Sequence, residues 1–301
     1  MISRNRRGEK FFALTIHDVL KEAAAALAEA GVEDSLLEAE LLVRHCLNLS
    51  RTSLFLRQQE LVPPDPLQQI EQCLRRRCQR EPLQHITGTC EFWSMDFQVS
   101  PAVLIPRPET EFLLDHVLST LSQEQFHPQQ VLDLCTGSGV IAAVLAKELP
   151  AAAVTASDCS LDALTVARRN LLRHDLTERV RLLCADLLTA FPATPFFDLI
   201  VSNPPYIKAG DLPGLQAEVR DWEPHLALSG GRSGMEVIET ICADAATCLR
   251  PGGWLFMEIG ADLGAEMEEV LRQAGCYEQV RIVSDWAGRP RAAQGRRMLL
   301  S

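Results

Sequence analysis

No run of apolar residues approaches the roughly 18 that a bilayer-spanning helix needs, although 47% of the 301 residues are hydrophobic. The start, Met1 to Lys10, is basic and is not followed by the apolar segment of a secretory signal. A soluble, cytoplasmic protein with no membrane attachment is expected. The ten cysteines are scattered, at 46, 73, 78, 90, 135, 159, 184, 242, 248 and 276, and no Cys-x-x-Cys pair occurs among them. That absence removes the usual zinc and dithiol patterns. The thiols are expected to be reduced, mostly buried small apolar side chains, and no metal is expected. Positive charge is also in short supply. Lys plus Arg number 29 against 40 Asp plus Glu, a formal charge of -11, so a phosphate backbone would repel the chain as a whole. A nucleic-acid substrate is disfavoured unless a local basic patch supplies the missing charge.

The length fits one large α/β core and a smaller domain. Thr15-Ile16-His17-Asp18 has the form of a capping box, and Ile16, Val19, Leu20, Ala23 and Leu27 follow at helical spacing until Gly31 offers a stop. A second helix is predicted from about Asp34 to Leu47. A third begins where Asp65 can cap and Pro66 can occupy the first helical position, and it ends at Glu81-Pro82. Residues 11 to 80 therefore read as a small bundle of amphipathic helices. Within it, Arg75, Arg76, Arg77 and Arg80 read as a solvated helix face. Between about 89 and 104 the period changes to two, with Phe92-Trp93, Met95, Phe97 and Val99, which predicts a linking β-hairpin. The predicted domains are 1–82, a linker with the hairpin at 83–108, and 109–301.

From Val131 onward short apolar runs alternate with helical stretches. The runs are Val131 to Leu134, Ala153 to Ser157, Val180 to Cys184, Leu199 to Val201 and Trp254 to Glu258; the clearest helices are Leu161 to Leu172 and Gly234 to Leu249. This alternation predicts a doubly wound α/β fold with a mostly parallel sheet covered on both faces. Ligands in such sheets sit beyond the carboxyl ends of the strands.

The first of those ends carries Asp133-Leu134-Cys135-Thr136-Gly137-Ser138-Gly139, running straight into Val140-Ile141-Ala142. Glycines at 137 and 139 remove side chains that would hold a ligand away from a helix N-terminus. The same letters parse as Gly137-x-Gly139-x-x-Ala142, a dinucleotide fingerprint. After the second strand Asp158 stands 25 residues beyond Asp133, where a carboxylate can accept from ribose hydroxyls. After the third, Asp186 offers a carboxylate to an exocyclic amine of adenine and Leu187 an apolar surface to its ring. Each Asp alone is more often a helix cap or a solvated turn. Both nucleotide readings survive to this point.

The fourth end separates them. Phe197-Asp198-Leu199-Ile200-Val201-Ser202 leads into Asn203-Pro204-Pro205-Tyr206, for which hydride transfer has no use. Methylation of a planar nitrogen does have a use for it. The lone pair of an amide or aromatic amine is delocalised, so the nitrogen must be held in line with the methyl donor, a matter of orientation and electrostatics. The Asn203 side-chain oxygen can accept one N–H and the Pro204 carbonyl the other; the prolines stiffen the turn, and Tyr206 can pack on the plane of the substrate group. Its bland alternative is a rigid proline turn capped by Asn.

Taken together these residues resemble class I S-adenosyl-L-methionine-dependent methyltransferases, and more narrowly the protein-glutamine methyltransferases of the HemK/PrmC type. Glu81-Pro82-Leu83-Gln84-His85-Ile86-Thr87-Gly88 and Leu104-Ile105-Pro106-Arg107-Pro108-Glu109-Thr110-Glu111 are similar to that family's joining segments, as are Glu223-Pro224, Ala227-Leu228, Gly230-Gly231 and Pro251-Gly252-Gly253. Cys135 departs from the broader pattern, where a glycine is common. The resemblance implies a seven-stranded catalytic sheet and an N-terminal helical domain that docks the substrate. It implies S-adenosyl-L-methionine held by Asp133, Cys135, Thr136, Gly137, Ser138, Gly139, Asp158, Asp186, Leu187 and Asn203. Catalysis would fall to Asn203, Pro204, Pro205 and Tyr206, with Arg107 and Glu109 added for substrate binding. The implied reaction is transfer of a methyl group to N5 of the glutamine in the Gly-Gly-Gln motif of peptide chain release factors, by a monomer that does not touch nucleic acid.

The rivals are a sister enzyme acting on a ribosomal-protein glutamine, in which Arg-Ser-Pro is expected at the Arg107 stretch, and an adenine-N6 methylase acting on a flipped base. The second needs a basic surface, for which Arg289, Arg291, Arg296 and Arg297 are the candidates. A nicotinamide oxidoreductase and a catalytically silent binding module complete the alternatives.

Overall fold

A computed structural model describes residues 14–299; the basic start Met1 to Lys10 lies outside the described residues. The chain divides into two compact units, one running to Gly88 and including Ala217–Trp222, the other formed by Thr89–Gln216 and Glu223 onward. The boundary thus falls six residues later than the sequence placed it, because Ile86 joins the helical core.

In the helical unit, α1 (Ile16–Glu29) starts at the predicted capping box: Asp18 N donates to Thr15 Oγ1 (3.2 Å) and Thr15 N donates to Asp18 Oδ2 (3.1 Å). Helix α2 (Ser35–Leu47) ends at Asn48, whose φ of 51° is left-handed. A helix absent from the sequence reading, α3 (Arg51–Leu56), is only six residues long, too short for periodicity to register; Ser50 caps it. Next, α4 (Pro64–Cys78) begins before the predicted Pro66. Pro63 is its N-cap, and Asp65 lies in the first turn instead of capping it. Pro64 takes the position its fixed φ and missing N–H suit. Helix α5 (Leu83–Thr87) and the six-residue Ala217–Trp222 (α9 in chain order) complete the unit. Val19, Leu27, Val43, Ile70 and Leu74 form its core.

The arginine run is a solvated face only at Arg75 and Arg76. Arg77 follows Ile70 and Leu74 on the apolar side of α4 and is 4% exposed. Its guanidinium donates to Glu38 and, at 2.9 Å, to Glu218, while Arg80 grips both oxygens of Glu218 at 2.7 Å. Arg76 pairs with Glu81, yet it and Arg75 both keep the expected exposed character. Two half-buried carboxylates flank one buried guanidinium, and desolvation offsets much of their attraction. The cysteines also differ from expectation. Only Cys242 and Cys248 are buried; Cys159 and Cys184 are exposed and six are half-buried.

The second unit opens with the predicted hairpin, β1 (Thr89–Phe92) against β2 (Met95–Gln98). Trp93 and Ser94 both have positive φ, 53° and 56°, the conformation a two-residue hairpin turn demands. Glu111 accepts the Trp93 N–H at 2.5 Å. After α6 (Pro108–Gln123) come β3 (Gln130–Leu134), α7 (Val140–Glu148), β4 (Ala153–Asp158), α8 (Leu161–Arg173), β5 (Val180–Cys184) and β6 (Phe197–Ser202). Then follow α10 (His225–Leu228), α11 (Glu236–Cys248), β7 (Leu249–Glu258), α12 (Gly264–Gln273), β8 (Tyr277–Ser284) and β9 (Pro290–Arg297).

The strands form one seven-stranded sheet in the order β5-β4-β3-β6-β7-β9-β8. The first five are mutually parallel and β9 runs antiparallel to both neighbours. Alternate residues face opposite sides: Val131, Leu199, Val201 and Phe256 pack in one apolar cluster, and Leu132, Leu134, Ile200 and Leu255 in the other. This is the double covering that the apolar runs implied. The last two strands had no signal of that kind. In β9 the buried residues are Ala292, Ala293, Gln294 and Gly295, small or polar side chains without an apolar run. Among the described residues no helix is long and apolar enough to cross a membrane.

Candidate active site

Between β3 and β6 the order of connection reverses, the place where doubly wound sheets open a crevice. A cavity of about 220 Å³ lies there, lined from the loops that follow β3, β4, β5 and β6. Cys135, Thr136, Gly137, Ser138, Asp158, Asp186, Leu187, Asn203 and Pro205 all line it.

The loop after β3 is built around Asp133, which is fully buried. One of its oxygens accepts from Thr136 Oγ1 at 2.5 Å and from Ala142 N at 2.9 Å, tying the start of the loop to the first turn of α7. Asp133 does not line the cavity, so it shapes the ligand loop from beneath. Burial pushes its pKa from 3.8 up to about 7, against the two hydrogen bonds. A carboxyl whose folded pKa is raised contributes stability below its unfolded pKa and loses it as pH rises through the folded one. Stability should therefore fall from about pH 4 to pH 7 through this group. In Asp133→Asn that component should vanish, which urea midpoints measured across the interval will read.

Cys135 has φ of 62°, so a β-carbon sits in a left-handed position that costs on the order of 1 kcal/mol and that glycine occupies freely. Burial and the nearby Asp158 push its thiol pKa well up. Gly137 (φ +54°) has open space where a Cβ would stand, leaving its backbone approachable. Gly139 differs from the expectation. A Cβ there would lie 3.1 Å from the Ala167 Cβ, and Gly139 is outside the lining, so its small size serves the packing of α7 on α8. Asp158 accepts from Gly137 N and from Ser160 N, both at 2.9 Å. Each carboxylate oxygen keeps acceptor capacity for a ligand. Asp186 is exposed and Leu187 half-buried.

On the opposite wall Asn203 leaves β6 half-buried. Its Nδ2 donates to Thr110 Oγ1 at 3.1 Å; Thr110 donates to Glu258 Oε2 at 2.6 Å; Tyr206 donates its hydroxyl to Glu258 Oε1 at 3.1 Å. Thr110 is 3% exposed and Glu258 1%. Burial raises the Glu258 pKa, the two hydroxyl donors opposing the shift, and burial beside that carboxyl raises Tyr206. Tyr206 and Pro204 do not line the cavity, and Pro204 is buried. Behind the turn, a Cβ on Gly230 would lie 2.7 Å from both the Pro205 carbonyl oxygen and the Tyr206 Cα; only glycine admits that approach.

The structure engages Arg107 and Glu109 elsewhere. Arg107 donates to the buried Glu223 at 2.5 Å, and Glu109 lies 3.6 Å from Arg291. Their neighbours Pro106 and Thr110 line the cavity instead. Sequence reasoning passed over Thr110, a neutral residue between two charged ones, and Glu258, whose one signal is a carboxylate directly after the apolar run Trp254 to Met257. The C-terminal arginines are neutralised or anchored: Arg289 and Arg291 by Asp285, Arg296 by Glu124, Arg297 by the Cys276 carbonyl.

Comparison with known proteins agrees with this architecture. Residues 18–88 match the PrmC N-terminal domain and residues 109–217 the methyltransferase small domain. The catalytic domain of hMettl16 in complex with MAT2A 3′UTR hairpin 6 superposes with a TM-score of 0.54 at 16% identity, over 68% of this chain and 76% of that one. T. thermophilus 16S rRNA methyltransferase RsmC, in complex with AdoMet and guanosine, gives 0.52 at 22%, over 69% and 49%. The sheet is that of the class I methyltransferases. The release factor glutamine methyltransferase of Koribacter versatilis is 40% identical over 94% of this chain and 99% of its own length. That of Moorella thermoacetica is 42% identical over 92% and 97%. The chain belongs to the release factor glutamine methyltransferase family.

Proposed function

We propose that this protein transfers the methyl group of S-adenosyl-L-methionine to the side-chain amide N5 of the glutamine in the Gly-Gly-Gln motif of peptide chain release factors. The products are N5-methylglutamine and S-adenosyl-L-homocysteine. The observation that carries the reading is one cavity shared by a nucleotide-type cradle and Asn203. Gly137 offers an open backbone, Asp158 suits the ribose diol, and Asp186 with Leu187 suits adenine. When bound, the cofactor supplies a methyl group on a positively charged sulfur. Asn203 Oδ1 accepts one N–H of the glutamine amide and so holds the nitrogen against rotation; Pro204, expected to take the other N–H, is buried outside the lining and stiffens the turn instead. No strong base is assigned, because the amide nitrogen sheds its proton to solvent only as its new bond forms. Two glycines let a thin loop present a carboxamide without bulk.

The helical unit is the docking element of this proposal. Phe55, Leu56 and Leu61 are exposed apolar side chains there, of the kind that protein contacts cover. The enzyme acts in the cytoplasm, where release factors work, as a monomer.

Incubation with a release factor and S-adenosyl-L-methionine should add one methyl, located by mass spectrometry on the Gly-Gly-Gln glutamine. Methyl transfer to a ribosomal-protein glutamine or to adenine, with the release factor untouched, would refute the assignment.

A further inference from the structure

The carboxamide of asparagine has two ends of similar shape and opposite hydrogen-bonding character. For Asn203 to receive a substrate N–H, its oxygen must face the cavity, and something must hold its NH2 group on the other side. The register of the sheet supplies that something. Ser202 pairs with Met257, so the next residue of β7, Glu258, falls beside Asn203, and Ala292 of β9 closes its other flank. Thr110, in the first turn of α6, fills the gap between them.

We propose that Glu258 is the positioning residue of the methyl-transfer site, orienting Asn203 through Thr110 and anchoring Tyr206 directly. The inference rests on the glutamine-methylation reading. A carboxylate can only accept, and the Thr110 hydroxyl has one hydrogen, which is committed to Glu258 Oε2 at 2.6 Å. Toward Asn203 the threonine therefore presents only lone pairs. The amide must turn its Nδ2 to Thr110, as the 3.1 Å contact records, and its Oδ1 the other way. A flipped Asn203 would set two oxygens against each other. The other carboxylate oxygen takes the Tyr206 hydroxyl at 3.1 Å, so one buried side chain pins the Asn-Pro-Pro-Tyr turn at both ends. Glu258 touches neither substrate nor cofactor; it acts through Asn203.

Substitution at Thr110 separates this relay from simple packing. Valine keeps the shape and loses the hydroxyl, whereas serine keeps the hydroxyl and loses the methyl group. In Thr110→Val, kcat on the release factor should fall about ten-fold or more, the worth of one oriented hydrogen bond. KM and the dissociation constant for S-adenosyl-L-methionine should stay within about three-fold, since the lost contact orients the amide and not the cofactor. Thr110→Ser should keep kcat within about three-fold of the wild type. Glu258→Leu should lose at least as much kcat as Thr110→Val, and the double variant should lose no more than Glu258→Leu alone. An active Thr110→Val, or equal losses in the valine and serine variants, would overturn the relay, as would an active Glu258→Leu. Should Glu258→Leu fail to bind S-adenosyl-L-methionine because it is misfolded, the Thr110 pair decides alone. A wild-type enzyme that leaves the release factor glutamine unmethylated contradicts the functional assignment itself, an outcome visible before any variant is compared.

Discussion

Asn203→Ala should abolish measurable methyl transfer to a release factor while S-adenosyl-L-methionine still binds. The side chain lines the cavity and is held through Thr110, so the truncation removes a preorganised acceptor without disturbing the loop after β3. Loss of one such positioned group costs on the order of a hundred-fold or more in kcat. The dissociation constant for the cofactor should change by no more than about three-fold, because the contact removed acts on the reacting amide. Single-turnover assays with isothermal titration of the cofactor separate the two quantities. Near-normal turnover would sink the proposed chemistry; equal loss of turnover and cofactor binding would move Asn203 from catalysis into the cofactor cradle.

Asp158→Ala should give the opposite profile. Its two oxygens accept from Gly137 N and Ser160 N at 2.9 Å, so one carboxylate both shapes the glycine loop and faces the ligand. Losing two charge-assisted bonds at ~1.5 kcal/mol each weakens cofactor binding about a hundred-fold. At saturating S-adenosyl-L-methionine, much of kcat should return, because Asn203 and its partners are untouched. Asp158→Asn retains one acceptor and should fall between the two. Unchanged cofactor affinity in Asp158→Ala would place the ribose elsewhere.

The alternation after Val131 was enough to foresee the doubly wound sheet, since strands buried on both faces must be apolar at every position. The strand-end loops stood out because each sets a carboxylate, a glycine pair or an asparagine directly after an apolar run, and the fold brings them to one cavity. Asp133 and Gly139 were expected to hold the cofactor, but neither lines the cavity; the fold gives them internal duties, one accepting from Thr136 and Ala142, the other packing on Ala167. Arg77 was misread because a charged run looks solvated until the partners on α2 and α9, Glu38 and Glu218, are brought beside it. Those partners lie 39 and 141 residues away in sequence, beyond any local pattern.

The same division runs through the active site. The role proposed for Asn203-Pro204-Pro205-Tyr206 was readable locally, because an asparagine and two prolines directly after an apolar strand suit a rigid acceptor for a planar N–H group. Nothing local says which way the Asn203 amide points. That was settled by Thr110, 93 residues away, and by Glu258, 148 residues beyond Thr110. A hydrogen bond has a direction only once donor, relay and acceptor meet, and the packing of α6 against β7 is what makes them meet.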